Sequence, residues 1–274
     1  MSRMLRATAF TLAALVAASQ ARAAAVDLSA FQLNGGATAS ANDLNLGDGN
    51  GGEAMSGFMT SAISAGSNFS GAFDLSMVDS TGSTDANGLQ GDGLTFVIQN
   101  DPAGASALGG GGGGIGADGI QNSVGIGFQS WDNDHATIFH SGDPCPDYGA
   151  VTYCGTQAHH GDQQAGNFLL GGNLSNHVHV TFSYAGGVLS YTALNSDTSQ
   201  SISDSYAFNL GSLGPQVYVG FTGGTGLAWS VQDVSNFDLN VSAAPEPTSW
   251  ALMVLGFGGL GAVLRNRRRG ALAV

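Results

Sequence analysis

The chain has 274 residues and a formal net charge of −13 at pH 7, and no Lys or Arg occurs between Arg22 and Arg265. Nucleic acids and acidic polysaccharides bind through cations that displace counterions, so this acid-only body argues against both as ligands. A single β-sandwich of about 200 to 250 residues would use nearly all of the length. With no basic partner, a buried carboxylate must be held by N–H groups, a histidine or a bound cation, which makes calcium a candidate.

Residues 1–25 have the pattern of a secretory signal peptide. A basic start is followed by an apolar stretch and by small residues at Ala21 to Ala25, where we expect cleavage. The alternative is a short buried helix. The signal interpretation leaves a body of residues 26–243 and a tail of residues 244–274.

The body shows short segments of apolar alternation separated by Gly, Asn, Asp and Ser, without a sustained 3.6-residue period. This pattern predicts an all-β fold of two packed sheets. The expected strands are residues 31–39, 69–77, 94–99, 124–131, 137–140, 178–184, 188–194, 217–222 and 234–241.

The glycine-rich segment, residues 108–119, reads LGGGGGGIGADG. It could be a linker between two domains, or a binding loop in which glycines let backbone N–H groups approach a ligand closely. A phosphate loop is excluded because no lysine follows and no helix is expected there.

Cys145 and Cys154 are the two cysteines, with a Pro, Tyr and Gly-containing loop between them. In an oxidising compartment we expect them to form a disulfide worth about 3 kcal/mol. A zinc site built from both cysteines and nearby histidines is the weaker alternative.

Residues 177–194 predict a β-hairpin around Gly186-Gly187. Alternation places Val178, Val180 and Phe182 on a buried face. His177 and His179 then lie on the polar face, where we expect ordinary solvated side chains.

Three segments, GDGLTFVIQNDP, NSVGIGFQSWDND and VYVGFTGGTGLAWSVQDVSNFDL, occur in this order between residues 91 and 239. Together they resemble the leguminous-type (L-type) lectin domain. The resemblance implies a concanavalin A-like jelly-roll sandwich of two antiparallel sheets that binds carbohydrate.

The resemblance also implies a sugar site built from loops. In the family, an Asp that follows a cis peptide accepts hydrogen bonds from sugar hydroxyls, so we predict a cis Gly91–Asp92 bond; an ordinary Asp-Gly turn is the alternative. The segment QSWDND at residues 129–134 and the later His-x-x-Asp motif at residues 159–162 resemble the corresponding motifs of animal secretory-pathway cargo lectins. The implied carbohydrate-binding residues are Asp92, Gly112, Asn133, His159, Gly226 and Leu227. Trp131, Tyr148 and Trp229 could stack on a sugar or belong to the core.

The implied calcium ligands are Gln129, the Trp131 carbonyl, Asn133 and Asp162. Gln129 stands where the family has Asp, so a carbonyl ligand is kept but one negative charge is lost. We therefore expect calcium to bind weakly. Gly127 replaces the Glu that plant members use for a transition metal, and no transition metal is expected.

The tail contains Pro245-Glu246-Pro247, an apolar run from Trp250 to Leu264, and an arginine cluster. The run is short of the roughly 20 residues of a comfortable membrane span, which makes it a marginal transmembrane anchor with cytoplasmic arginines. These three parts resemble the PEP-CTERM sorting signal of Gram-negative bacteria that make extracellular polysaccharide. The resemblance implies export across the inner membrane, transient anchoring, removal of the tail by an exosortase membrane protease, and a final place at the outer surface or outside the cell.

These features favour a secreted lectin-like protein for neutral glycans of exopolysaccharide or the cell surface. Gln129 favours the alternative, a structural matrix protein that keeps the sandwich without sugar binding. A glycoside hydrolase needs two carboxylates flanking the scissile bond. The body has one glutamate, Glu53, and no expected strand carries two acids at alternate positions, so we predict no enzyme activity.

Overall fold

The computed structural model describes residues 24–78, 84, 90–130, 135–141, 159–164 and 175–242, with the backbone alone at 24, 135, 159–164 and 175–177. Its strands form two eight-stranded sheets in which all pairings are antiparallel. Sheet A contains β1 (Ala24–Ala25), β3 (Thr38–Ala39), β4 (Asp43–Asp48), β7 (Asn68–Val78), β12 (Ser175–Ala185), β13 (Val188–Asn195), β14 (Ser201–Ala207) and β16 (Val231–Ser242). Sheet B contains β2 (Gln32–Asn34), β5 (Ala54–Phe58), β6 (Ile63–Ser64), β8 (Gly93–Gln99), β9 (Ser123–Gln129), β10 (His135–His140), β11 (His159–Gln164) and β15 (Gln216–Gly224).

Strands that are distant in sequence lie next to each other in both sheets. Sheet A has the order β14-β13-β12-β7-β16-β4-β3, with β1 paired to β16. Sheet B has the order β11-β10-β9-β8-β15-β5-β2, with β6 paired to β15. Four short 3-10 helices, Leu28–Ala30, Gly104–Ser106, Gly112–Gly114 and Leu210–Ser212, connect strands of the described residues.

Aromatic side chains fill the space between the sheets. Phe73 of sheet A contacts Phe221 of sheet B with ring centroids 5.0 Å apart. Phe96 and Phe182 pack across the sandwich at 4.3 Å. This interior confirms the predicted all-β sandwich, because inward-facing residues of both sheets share one core.

The predicted hairpin is confirmed in β12 and β13. Val178, Val180 and Phe182 are buried, and Gly186 and Gly187 form the turn with φ of 61° and 82°. These positive φ values suit a two-residue hairpin turn.

The single strand predicted for residues 31–39 is wrong. The chain turns at Gly35 and Gly36, which have φ of 70° and 96°, so β2 joins sheet B and β3 joins sheet A. Apolar alternation continues across this turn and hides it, while the two adjacent glycines were the local signal for it.

The glycine-rich segment belongs to the sandwich and does not separate two domains. After β8 the chain covers the outer face of sheet B, where Ala107, Ala117 and Ile120 pack with Val97 and Phe139. This third layer extends over part of one sheet. The linker interpretation is therefore excluded.

Candidate functional site at one end of the sandwich

The candidate site lies at the end of sheet B where β8 begins and where β9 and β15 finish. Gly93, the first residue of β8, is paired with Gln129 on one side and with Gly224 on the other. We call this the site end of the sandwich. Asp92 immediately precedes β8 and is therefore placed between two strand ends.

The backbone of Asp92 is held on both sides. Its N–H donates to the Gly224 carbonyl at 3.1 Å, and its carbonyl accepts from the Ser130 N–H at 2.9 Å. The Ser130 hydroxyl donates to the Gln90 carbonyl at 2.6 Å. The Gly91–Asp92 peptide bond is cis, as predicted.

Two buried polar side chains, one just before β16 and one within it, support the same turn. The Ser230 hydroxyl donates to the Gly91 carbonyl at 3.1 Å. The Gln232 amide donates to the Gly224 carbonyl at 3.0 Å and more weakly to Gly91 at 3.4 Å. Both side chains are buried, so this end of the site rests on an interior polar network.

The Asp92 carboxylate is buried, with 4% of the residue exposed. Its Oδ2 atom accepts no hydrogen bond from the described residues. Burial raises the pKa of Asp92 to about 7, and the nearby backbone N–H of Gly226 opposes that rise in part. A buried acid with an unsatisfied oxygen is costly, and the body of the chain has no Lys or Arg to neutralise it.

Gly112 and Gly226 surround this carboxylate. A Cβ atom on Gly226 would lie 2.9 Å from Asp92 Oδ2 and 3.2 Å from the Gly112 Cα. The Gly112 N–H donates to the Thr225 carbonyl at 2.9 Å, and the Gly226 N–H donates to Ala228 at 3.0 Å. These two glycines therefore let the backbone approach the Asp92 carboxylate closely, but their N–H groups are already bonded to other carbonyls. The fold thus brings three of the predicted site residues together.

Thr225 connects the loops around the site. Its hydroxyl accepts from the Glu53 N–H at 3.0 Å and donates to the Asn50 carbonyl at 2.7 Å. Its own N–H donates to the Glu53 carbonyl at 3.0 Å. Through these bonds the loop between β4 and β5 is fixed against Gly112 and Gly226.

The loop between β4 and β5 adds acidic groups to the site end. Burial raises the pKa of Glu53, and a side-chain hydrogen bond with Asp48 and charge repulsion from it raise the pKa further, while the Asp48 N–H, which donates to Glu53 at 3.3 Å, opposes the rise in part. Asn50 donates to the Asp48 carboxylate at 2.6 Å. Sequence reasoning noted Glu53 as the sole glutamate of the body but did not place it here.

Gln129 contacts the glycine-rich loop through its amide nitrogen, which donates to the Gly113 carbonyl at 3.0 Å. A cation at this position would have to bind the remaining Oε1 oxygen. Trp131 and Asn133 lie outside the described residues, and the side chain of Asp162 does too. Within the described ranges no group of three or more His, Cys, Asp or Glu side chains could hold a metal.

The backbone register places β11 two strands from Gln129. His135 pairs with both Gln129 and Gln164. Asp162 lies within the irregular pairing between Ala136 and Ile138. His159 pairs with Phe139, four residues along β10 from His135, which corresponds to about 13 Å. The register therefore does not bring the backbone of His159 to the site end, and the predicted roles of His159 and Asp162 stay predictions.

The rim of the site contains an exposed apolar residue, Leu227, which is 87% exposed. Trp229 is partly buried, and a Cβ atom on Gly51 would lie 2.7 Å from its ring. Tyr148, Cys145 and Cys154 lie outside the described residues, so the stacking role and the disulfide stay predictions.

The fold and the tail define the class of this chain. The sandwich is a concanavalin A-like jelly roll of the legume-lectin type, and residues 243–269 match the family described as the PEP-CTERM protein-sorting motif. In the described residues, no helix has the length and apolar character needed to cross a membrane. The apolar run at 250–264 lies outside those residues.

Solved lectin structures share this fold at low sequence identity. Basic winged bean lectin with Tn-antigen is 16% identical, with a TM-score of 0.58 over 78% of this chain and 93% of that chain. The lectin from Bauhinia forficata in complex with GalNAc is 15% identical, with a TM-score of 0.60 over 79% and 94%. Arcelin-5, a lectin-like defense protein from Phaseolus vulgaris, is 15% identical, with a TM-score of 0.59 over 78% and 93%. A search of curated proteins gives no match.

Proposed function

We propose that this protein is a secreted lectin-like protein that binds a neutral glycan of exopolysaccharide or of the cell surface at the Asp92 site. The observation that carries this proposal is the buried Asp92 Oδ2, which accepts no hydrogen bond from the described residues. Sugar hydroxyls are neutral donors that can satisfy such an acceptor, and hydrogen bonds to ionised groups are stronger than neutral ones.

The neighbouring residues suit a small polyhydroxylated ligand. Gly112 and Gly226 have no side chain to block the approach to Asp92. Leu227 is exposed at the rim and can contact the apolar face of a sugar ring. Asn133 and His159 enter the proposal through the family resemblance alone.

We propose that a weakly bound calcium ion assists glycan binding. Gln129 Oε1, the Trp131 carbonyl, Asn133 and Asp162 would hold it, and oxygen atoms are the ligands that calcium prefers. A bound cation would supply positive charge that favours the ionised form of a nearby carboxylate. Calcium would then raise the melting temperature by mass action.

Retention on affinity gels of neutral polysaccharides, measured with and without calcium, tests the proposal. We expect the wild-type protein to be retained and the Asp92→Asn variant to lose retention, because the amide removes the carboxylate that accepts the sugar hydroxyls. Asp233→Asn is the matched control, since burial also raises the pKa of Asp233 and its carboxylate is bonded to Asn45 instead. Folded wild-type protein that no neutral glycan retains would contradict the proposal.

A structural matrix protein is the second candidate function. It is favoured by the Gln129 contact to Gly113, which fixes the glycine-rich loop without a metal. In this case calcium leaves the melting temperature unchanged, and glycan arrays give no signal. A calcium-dependent rise in melting temperature together with glycan retention would exclude this candidate.

The ends of the chain fit export and processing in a Gram-negative bacterium. We propose a signal peptide at 1–25 and a tail at 244–274 that anchors the protein transiently and is cut by an exosortase. β1 (Ala24–Ala25) pairs with β16 and overlaps the last two residues of this signal peptide, so cleavage after Ala25 would remove β1 from sheet A, while β16 finishes at Ser242, next to the tail. Mass spectrometry of the exported protein should find neither segment, and a mature chain that retains residues 250–264 would contradict removal of the tail.

A further inference from the structure

We propose that the sorting tail leaves the sandwich at the end opposite to the Asp92 site, so that the site faces away from the membrane while the chain is tethered. The binding role of the site and the membrane anchoring by the tail rest on the proposed function; the position of the site relative to the start of the tail does not. The inference concerns the kind of partner that the tethered protein can reach. That partner is a neutral glycan beyond the membrane surface.

Strand β16 connects the two ends directly. Its first residue, Val231, follows Ser230, whose hydroxyl bonds to Gly91 beside the site. Its last residue, Ser242, pairs with Asn68, the first residue of β7. The strand has 12 residues, which corresponds to about 36 Å at the usual rise per residue. The tail thus begins at the far end of the sandwich from Asp92.

Pairing with β7, which removal of the signal peptide leaves in place, fixes the direction in which β16 leaves the domain. Asp238 pairs with Ala72 of β7 and with Ala25 of β1, and Leu239 pairs with Ala24. The Val26 N–H donates to the Phe237 carbonyl at 2.9 Å. The N-terminal end of the described body therefore lies at the same far end, beside the exit of the tail.

The connection between Ser242 and the apolar run is too short to return to the site. Residues 243–249 separate Ser242 from Trp250 and contain Pro245 and Pro247. Ser242 and Trp250 are eight Cα–Cα steps apart, and a fully extended chain spans at most about 3.6 Å per step, so this connection reaches about 29 Å. That reach is shorter than the length of β16, and Trp250 cannot approach Asp92.

Charge affects the distance between the body and the membrane. Every acidic residue except Glu246 precedes the tail, and the body has no Lys or Arg. Anionic lipid headgroups repel an acidic body and attract the arginines after Leu264. An acidic sandwich is therefore held away from the membrane surface except where its tail enters.

Energy transfer on vesicles tests the orientation with the full chain. The chain is reconstituted in phosphatidylcholine vesicles whose headgroups carry an acceptor dye, and a donor dye is attached at Leu227→Cys or at Asn68→Cys. We expect transfer from position 68 and loss of transfer at position 227. Gln216→Cys, an exposed position at the far end of β15, provides a second far-end label. The unsubstituted chain, labelled in parallel, gives the background from Cys145 and Cys154.

Equal or stronger transfer at position 227 than at positions 68 and 216 would overturn the inference. A protease site inserted between Ala243 and Ala244 adds a second measurement, the binding of a soluble neutral polysaccharide before and after release from the vesicles. We expect the same affinity in both states, and binding that begins only after release would also overturn the inference. Binding in neither state would contradict the proposed function, while the energy transfer would still decide the orientation.

Discussion

The outer faces of the two sheets differ in what covers them. In sheet B every residue of β8 is buried, because the segment after it packs Ala107, Ala117 and Ile120 over Val97. In sheet A the residues of β13 alternate between buried and exposed or half-buried, since its outer face meets water. A strand that is buried along its whole length is therefore covered on both faces, whereas an alternating strand is covered on one face only.

This difference determines how the candidate site is positioned. The segment that covers sheet B also carries Gly112 to the Asp92 carboxylate. Apolar contacts fix the two flanks of this segment. Its glycines lie where two stretches of backbone approach each other closely. At Gly116, for example, a Cβ atom would be 2.5 Å from the Gly223 carbonyl oxygen. The site should therefore depend on the outer face of sheet B and be independent of the outer face of sheet A.

The largest effect is expected for Phe139→Ala on the outer face of sheet B. Phe139 is 2% exposed and packs with the segment that covers the sheet. Removing a buried aromatic ring costs about 3 to 5 kcal/mol in free energy of unfolding, and the glycine-rich loop loses part of its support. Chemical denaturation of this variant and of Thr181→Ala, an exposed position on sheet A, gives the comparison. Similar losses in the two variants would contradict the asymmetry between the faces.

The next largest effect is expected in the pH dependence of the unfolding free energy, to which Asp92 contributes. Its pKa in the folded protein, about 7, is above the ordinary value of 3.8, so the folded state binds more protons between these two values than the unfolded state does. The stabilising contribution of the protonated form is therefore lost as pH rises from about 4 to about 7, by a few kcal/mol. Unfolding free energies measured across this range should fall less in Asp92→Asn. Parallel curves for the two proteins would exclude a perturbed Asp92.

A smaller effect on stability but a full loss of glycan binding is expected for Gly226→Ala. The added Cβ atom would lie 2.9 Å from Asp92 Oδ2, and such overpacking costs about 1 to 3 kcal/mol. Gly66→Ala is the matched control, because its Cβ atom would have 3.7 Å to the nearest atom, the Ser64 hydroxyl. Affinity-gel retention and thermal melting should separate the two variants. Retained binding in Gly226→Ala would place the ligand elsewhere.

Sequence patterns predicted the elements whose burial is regular. The hairpin of β12 and β13 alternates cleanly and β8 is a continuous apolar run, so both were predicted. The strands β4, β5, β11 and β14 were missed, as were the two-residue strands β1 and β6. β5 reads AMSGF and is almost wholly buried, yet its Gly and Ala have low strand propensity. In β14, serines alternate with only half-buried residues, which leaves a weak signal.

Some residues of the candidate site were predicted from the sequence, and others were not. Asp92, Gly112 and Gly226 were predicted because each lies in a recognisable segment, and the structure brings them together. Thr225 was predicted only as part of the loop at 223–227 and its bonds were not predicted, and Gln232 was missed, because the partners of both residues are distant in sequence. Thr225 bonds to Glu53 across 172 positions, and Gln232 bonds to Gly91 across 141 positions. A polar residue within a strand gives no local sign that its side chain will be buried beneath a loop.

The smallest effect is expected at His179 on the outer face of sheet A. Its Nδ1 atom lies 2.6 Å from the Asp74 carboxylate, which also accepts from Asn236 at 2.8 Å. The distance is short, but half of the His179 side chain is exposed, and water and salt screen such a pair. Exposed ion pairs contribute about 0 to 1 kcal/mol, so His179→Ala should change the unfolding free energy by less than Phe139→Ala does and leave glycan retention unchanged. A loss as large as that of Phe139→Ala would mean that another molecule covers this face in solution, because solvent exposure alone cannot give a surface pair the energy of a buried ring.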